Sequence, residues 1–339
     1  LPSEESHAVS EILLSQLAYA ELISPKPDET VKWMVDVLGL EETTRDGKSV
    51  YLRGWAEWLH SSLIVTEGPE PALGAIGWRT YGPGDAEIVS QRVEGEWVPE
   101  RTGRGPAFAY RSPVGGHLNE VFWEVERYQA PPELAEPDFQ NRPQRFTGRG
   151  AAARYIDHVT IATPSIPDEI AFRKTLGHRH TAQISPEPGF NVFSTMTCNA
   201  IRSSHDLGLV PDFSGTRGRV NHIAYNVDQR HDVERAAEVF MGAGTPIEFG
   251  PGIHGLDEIT YLYVREPGGL RIEINSGGWE NYQPDWEAKD WHPSQGGTTF
   301  WKNVAMPESM MESFPPVDAP RAEENEAGLG ATGMFVEKG

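Results

Sequence analysis

The sequence carries a single cysteine, Cys198, in 339 residues. One thiol excludes an intrachain disulfide and fits a reducing compartment. No apolar run approaches the roughly 18 residues that a membrane-spanning helix needs. The opening residues, LPSEESHAVSE, have neither the basic stretch nor the apolar core of a secretory signal, so a cytoplasmic location is expected. Positive charge is scarce as well: 29 Lys and Arg stand against 50 Asp and Glu, a formal net charge of −21. That balance excludes partners lined with phosphate, namely nucleic acid and anionic membranes. What the chain has in quantity is 35 Gly, 27 Pro and 10 Trp. This is a turn-rich globular composition, long enough for two domains or for one internal duplication.

The order of elements points to duplication. Residues 1–14 are polar and acidic and read as an N-terminal arm. Strands are expected at Gln16–Ile23, Ser49–Arg53, Ser62–Val65, Leu73–Tyr81, Phe108–Arg111 and Leu118–Val125, with helices at Pro25–Leu38 and Asp85–Val93. Residues 127–153, rich in Pro, Gln, Arg and Gly, read as a linker. The pattern then restarts. Strands are expected at Tyr155–Ala162, Asn191–Thr197, Ala200–Ser204, Val220–Val227, Ile259–Val264 and Leu270–Ile274, with helices at Ile166–Leu176 and Asp232–Gly242. A Leu-Gly pair stops the first helix of each half, Leu38-Gly39 and Leu176-Gly177, and the turn at 112–116 answers that at 266–269. The expected fold class is α+β, made of tandem βαβββ modules, two per half, with a C-terminal extension. The first domain covers 15–126 and the second 154–276. The tail, 277–339, reads as a lid or an oligomer contact, and its acidic end, 318–339, as partly disordered.

Three residues then fall on strands of the second half: His158, His222 and Glu273. Two imidazoles and one carboxylate from three strands match the facial triad that holds non-haem Fe(II) with open positions. Zinc suits the set less well, since it prefers closed or three-ligand tetrahedral sites. A lone strand histidine is ordinarily a hydrogen-bonded structural residue, and a lone strand glutamate a solvent-facing one. The first half serves as a control: there His158 aligns with Tyr19, His222 roughly with Trp78, and Glu273 with Glu120 or Asn119. Ligands confined to one half imply one metal. Near them in sequence stand His205, suited by its neutral-range pKa to move a proton, then Tyr263, and His254 in a Gly-rich loop. Asp257 and Glu258 have no evident role.

The stretch Gly252-Ile253-His254, then Leu262-Tyr263, then Glu266-Pro267-Gly268-Gly269, then Glu273 resembles the signature of the type I extradiol ring-cleaving dioxygenases of the vicinal oxygen chelate superfamily. The resemblance covers about residues 15–275, and the long tail is most similar to the homoprotocatechuate 2,3-dioxygenase branch. It implies that His158, His222 and Glu273 hold Fe(II), with Mn(II) in some relatives. It further implies that His205 is the acid/base residue, that Tyr263 bonds a catecholate oxygen, and that His254 is a donor near the substrate. The implied partners are a catecholic small molecule and dioxygen, the implied product is of the hydroxymuconic semialdehyde type, and the implied assembly is a homo-oligomer, a tetramer by preference. The chain departs from relatives acting on carboxylated catechols. Ile247-Glu248-Phe249 stand where an arginine is expected, and the aromatic tail offers only Arg321, so the bidentate carboxylate clamp is missing. An uncharged catechol, plain, alkylated or aryl, is therefore expected. The alternatives are a carboxylated catechol or hydroquinone dioxygenase, and a small-molecule binding protein on the same fold.

Overall fold

The computed structural model describes residues 12–136, 138, 140–199, 205–283, 285–302 and 305–317. The strand expected at Ala200–Ser204, Arg321 and the acidic end at 318–339 lie outside these residues.

Each half consists of two βαβββ modules. The first opens with β1 (Leu14–Ser24) and α1 (Pro27–Trp33), which runs on as a π-helical turn over Met34–Leu38, and closes with β2 (Glu41–Asp46), β3 (Ser49–Arg53) and β4 (Leu63–Glu67). The second has β5 (Ala72–Thr80), α2 (Asp85–Ser90), β6 (Gly95–Val98), β7 (Ala107–Arg111) and β8 (Leu118–Phe122). After the linker come β9 (Tyr155–Thr163), α3 (Ile166–Thr175), β10 (Arg179–Ile184), β11 (Phe193–Thr197) and β12 (Leu207–Pro211). The last module holds β13 (Val220–Asn226), α4 (Arg230–Gly242), β14 (Ile247–Ile253), β15 (Ile259–Arg265) and β16 (Arg271–Gly277). The tail adds two short strands, β17 (Lys289–Trp291) and β18 (Trp301–Lys302).

The first half forms one eight-stranded sheet, ordered β2-β3-β4-β1-β5-β8-β7-β6. The second forms a ten-stranded sheet, β17-β10-β11-β12-β9-β13-β16-β15-β14-β18, the same plan with a tail strand at each edge. The two Leu-Gly stops take the same backbone form, with φ of 90° at Gly39 and 93° at Gly177. A side chain at Gly39 would meet the Arg149 carbonyl of the linker at 2.3 Å, so the position needs glycine both for its turn and for close approach. Within the modules, sequence periodicity misses β2, β6, β10, β12 and β14, and two of these are edges. β2 (EETTRD) and β6 (GEWV) are exposed sheet edges, held by backbone pairing and carrying little apolar alternation.

Alternation divides each central strand between two environments. Val159 and Ile161 of β9, Ile223 and Tyr225 of β13, and Ile272 and Ile274 of β16 enter one continuous apolar core shared by both halves. Within that core Trp33 of α1 stacks on Phe240 of α4 with centroids 5.6 Å apart, and its indole N–H donates to Thr245 Oγ1 at 2.8 Å. The residues that alternate with those core positions, His158, His222 and Glu273 among them, stand outside the shared core.

Candidate active site

β9, β13 and β16 lie side by side at the centre of the second sheet, and Ala224 of β13 is the register partner of both His158 and Glu273. Short strands with paired backbones leave these side chains little freedom. His158 Nε2 and His222 Nε2 are 3.0 Å apart, and Glu273 Oε2 lies 3.2 Å from the first and 3.1 Å from the second. Cis ligands of an octahedron stand √2 bond lengths apart, so these edges correspond to bonds of about 2.2 Å to one ion. Tetrahedral zinc, with bonds of about 2.0–2.1 Å, would spread them to about 3.3–3.4 Å.

The hydrogen-bond partners aim both imidazoles the same way. His158 Nδ1 donates to Asp157 Oδ2 at 2.8 Å, and Asp157 is itself held by the Asn275 amide at 2.9 Å. His222 Nδ1 donates to Asn221 Oδ1 at 2.8 Å. With the protons on Nδ1, both Nε2 lone pairs face each other and a carboxylate. Neither Glu273 oxygen has a hydrogen-bond partner of good geometry, although the residue is only 1 % exposed. Three converging lone-pair donors repel unless a cation sits among them, and the set fits a divalent metal. Without one, the cluster must take up a proton. Burial opposes a charge on His158, but the Glu273 and Asp157 carboxylates outweigh it and push its pKa up to about 10. Burial brings His222 down to about 4. Burial also opposes the charge on Glu273, yet the two imidazoles hold it well below the ordinary carboxylate range.

A cavity of about 100 Å³ opens onto the triad. His205, His254 and Tyr263 all line it, so the structure brings together every residue singled out from sequence. His205 is buried, with its ring centroid 4.1 Å from that of His158. Burial first, and the neighbouring His158 second, push its pKa well below 6.5, so it rests as neutral imidazole. Tyr263 is the cross-strand partner of Glu273. His254 follows β14, in a stretch read from sequence as loop but largely strand. Its Nδ1 donates to the Thr298 carbonyl, which leaves Nε2 to accept from the Tyr263 hydroxyl at 3.1 Å. Burial and nearby Glu273 raise Tyr263 well above 10, so it keeps its proton.

Sequence reasoning missed the groups that orient these residues. Asp257 is 1 % exposed and lines the cavity, with Oδ2 3.5 Å from His205 Nδ1. Asp157 and Asn221 each immediately precede a ligand histidine, and that adjacency was the available signal. A second buried group of donor types, His178, Cys198 and Asp206, is of a different kind. There Asp206 already accepts from the Cys198 N–H at 2.9 Å, the Cys198 thiol at 3.2 Å and Thr197 Oγ1 at 3.0 Å, so it forms a hydrogen-bonded knot.

The first half supplies the control, with one correction. Strand pairing places Tyr19 where His158 stands and Glu120 where Glu273 stands, but it places Ala75, not Trp78, at the position of His222. The bulges in β1/β5 and β9/β13 shift the count, which a linear match cannot see. Glu120 accepts from the Tyr19 hydroxyl and from Arg104 Nε at 2.8 Å, and Arg104 is 6 % exposed. The carboxylate is retained and the cation is a guanidinium of the chain itself.

Residues 155–274 match the Glyoxalase/Bleomycin resistance protein/Dioxygenase superfamily. The chain is 32% identical over 312 residues to a manganese-dependent 2,3-dihydroxybiphenyl 1,2-dioxygenase of Geobacillus genomosp. 3, covering 88% of this chain and 97% of that one. It is 31% identical over 315 residues to a metapyrocatechase of Geobacillus stearothermophilus, covering 90% and 94%. Among solved structures, homoprotocatechuate 2,3-dioxygenase of Arthrobacter globiformis superposes with a TM-score of 0.77 at 25% identity, covering 90% of this chain and 93% of that one. Among the described residues no helix is long and apolar enough to cross a membrane.

Proposed function

This chain belongs to the extradiol ring-cleaving dioxygenases, and on that premise we propose that its substrate is an uncharged catechol carrying an apolar substituent. The observation that carries the proposal is the cavity wall. Val192, Phe193, Val210, Pro211, Phe249, Leu256 and three methionines, Met306, Met310 and Met311, line it, and no lysine or arginine does among the described residues. Arg265 and Arg271 flank the hairpin that carries Glu273, but both are committed to Glu248, at 2.7 Å and 3.0 Å. A substrate carboxylate would be buried without a Lys or Arg partner, at a cost of about 3 kcal/mol, equivalent to about 100-fold.

His158, His222 and Glu273 hold the metal, Fe(II) or, as the name of the Geobacillus relative supports, Mn(II). A divalent metal held there would supply Lewis-acid and redox chemistry toward catechol and dioxygen. The chain's residues manage protons around it. The Tyr263 hydroxyl donates to His254 Nε2, so its oxygen is free to accept from a catechol hydroxyl. The displaced proton is passed to His254, whose Nδ1–H rests on the Thr298 carbonyl. His205, neutral at rest, takes a proton at its ring and returns it to the departing oxygen. Asp257 beside Nδ1 stabilises the imidazolium that forms. Tyr263, His205 and Asp257 are buried and His254 is half-buried, which limits the access of water to these transfers. The assembly we propose is a cytoplasmic homo-oligomer, a tetramer by preference.

The test is a substrate panel of catechol, 4-alkylcatechols, 2,3-dihydroxybiphenyl and 3,4-dihydroxyphenylacetate. The neutral compounds should exceed the acid in kcat/KM by about 100-fold. A preference for the acid would overturn the proposal.

A further inference from the structure

Residues 309–315 of the tail lie across the site, and their attachment is unusually specific. Three consecutive residues at the start of the His222 strand, Arg219 just before it and Val220 and Asn221 within it, hold them. Arg219 Nη2 donates to the Ser313 carbonyl at 2.6 Å and its Nε to the Pro315 carbonyl at 2.9 Å. Val220 and Phe314 exchange both backbone hydrogen bonds, at 2.8 Å and 2.6 Å. Asn221 Nδ2 donates to the carbonyls of Met310 and Glu312, at 3.1 Å and 3.0 Å. The Glu273 strand contributes too: Arg271, two residues before the ligand, donates through Nη1 to the Asn221 and Glu312 carbonyls at 3.0 Å each, and through Nη2 to that of Ser309 at 2.5 Å.

Asn221 joins this strap to the metal site. An amide has one donor end and one acceptor end. With two strap carbonyls facing Nδ2, the end that faces His222 is Oδ1, and Oδ1 accepts only from a protonated Nδ1. The strap therefore dictates the amide's orientation, the amide dictates the tautomer of His222, and the tautomer presents the Nε2 lone pair to the metal. A reversed amide would set oxygen against two carbonyls and N–H against N–H. We propose that the strap and Asn221 together act as a positioning device for the metal ligand His222, so that strap docking and metal binding are coupled. The inference rests on the triad's being the metal site. Partners that orient a ligand typically contribute about 10–100-fold to metal affinity. The coupling must also run in reverse, with bound metal tightening the strap.

The experiment uses the full-length chain and Mn(II) as the probe. Two quantities are measured: Mn(II) affinity by competition with a chelator, and hydrogen exchange of the Phe314 amide in metal-free and Mn(II)-loaded protein. In wild type, loading should slow that exchange about tenfold or more. Asn221→Ala should weaken Mn(II) binding by about 10–100-fold and abolish the metal-dependent part of the protection. Arg219→Ala, which loosens the strap without touching the ligand or its amide, should weaken Mn(II) binding in the same direction. It carries the test alone should Asn221→Ala fail to fold. Affinities of both variants within about twofold of wild type, or Phe314 exchange indifferent to metal in wild type, would overturn the coupling. A wild type that binds neither Mn(II) nor Fe(II), and so matches His222→Ala, would overturn the site assignment itself.

Discussion

Glu120 and Glu273 hold the same register position in the two halves, opposite Gly77 and Ala224 respectively, yet they meet different cations. Glu120 faces the guanidinium of Arg104, whereas Glu273 faces two imidazole lone pairs. One module pairs its buried carboxylate with a cation of its own chain, and the other sets it among lone-pair donors that could hold a metal.

Removing the chain's own cation should therefore cost stability and leave the metal count alone. Arg104→Met leaves Glu120, 7 % exposed, with the Tyr19 hydroxyl and the more distant Arg101 guanidinium at 3.8 Å but without its direct ion pair. Breaking such a pair costs about 3–5 kcal/mol. Urea unfolding should show that loss, while metal analysis still finds one ion per chain. An unchanged midpoint would mean that Glu120 simply takes up a proton at little cost.

Ligand and proton-transfer residues should separate cleanly. His222→Ala should abolish tight metal binding while the chain stays folded. His205→Ala should retain metal and lose about 10²–10⁴ in kcat, the usual worth of a positioned acid/base group. Full activity of His205→Ala with every catechol in the panel would remove it from the mechanism.

Asp257 extends that test to a residue without an evident role in the sequence. Asp257→Asn keeps the size of the group beside His205 Nδ1 but removes the charge that stabilises imidazolium. Metal content should stay at the wild-type level while kcat falls about tenfold or more. A change confined to KM would place Asp257 in substrate binding instead.

Acid should destabilise the junction between the halves through His117. This residue is 2 % exposed and its Nε2–H donates to the Arg219 carbonyl at 2.7 Å. Burial pushes its pKa down to about 4. The unfolded chain binds a proton below about 6.5 and the folded chain only below about 4, so stability is lost as pH falls through that window. The limit for one group is about 3 kcal/mol. Denaturation at pH 7.5 and 4.5 should show a smaller acid loss in His117→Asn than in wild type. Equal losses would mean that His117 is not the group responsible.

How much of this was legible in the chain follows from what local patterns encode. Alternation in Leu270–Ile274 placed Glu273 off the core, and the repeated Leu-Gly stops exposed the duplication, because both are properties of a few consecutive residues. The edge strands β2 and β6 were not legible, since backbone pairing, rather than apolar alternation, holds them. Ala75 was mistaken for Trp78 because bulges change the pairing count without any mark in the sequence. Asp257 could be named but not explained, and Asn221 was passed over: their partners, His205 and the strap carbonyls of Met310 and Glu312, stand 52 to 91 residues away and come within reach only in the fold.

The central claim is that His158, His222 and Glu273 hold a metal at which a catechol ring is opened. It is tested most directly by loading metal-free protein anaerobically with Fe(II) or Mn(II), confirming one ion per chain, adding catechol or an alkylcatechol, and then admitting air. A yellow ring-cleavage product, formed with uptake of one dioxygen and absent from His222→Ala, is the predicted result. Protein that holds its metal at the triad and leaves every catechol of the panel intact in air would contradict the account.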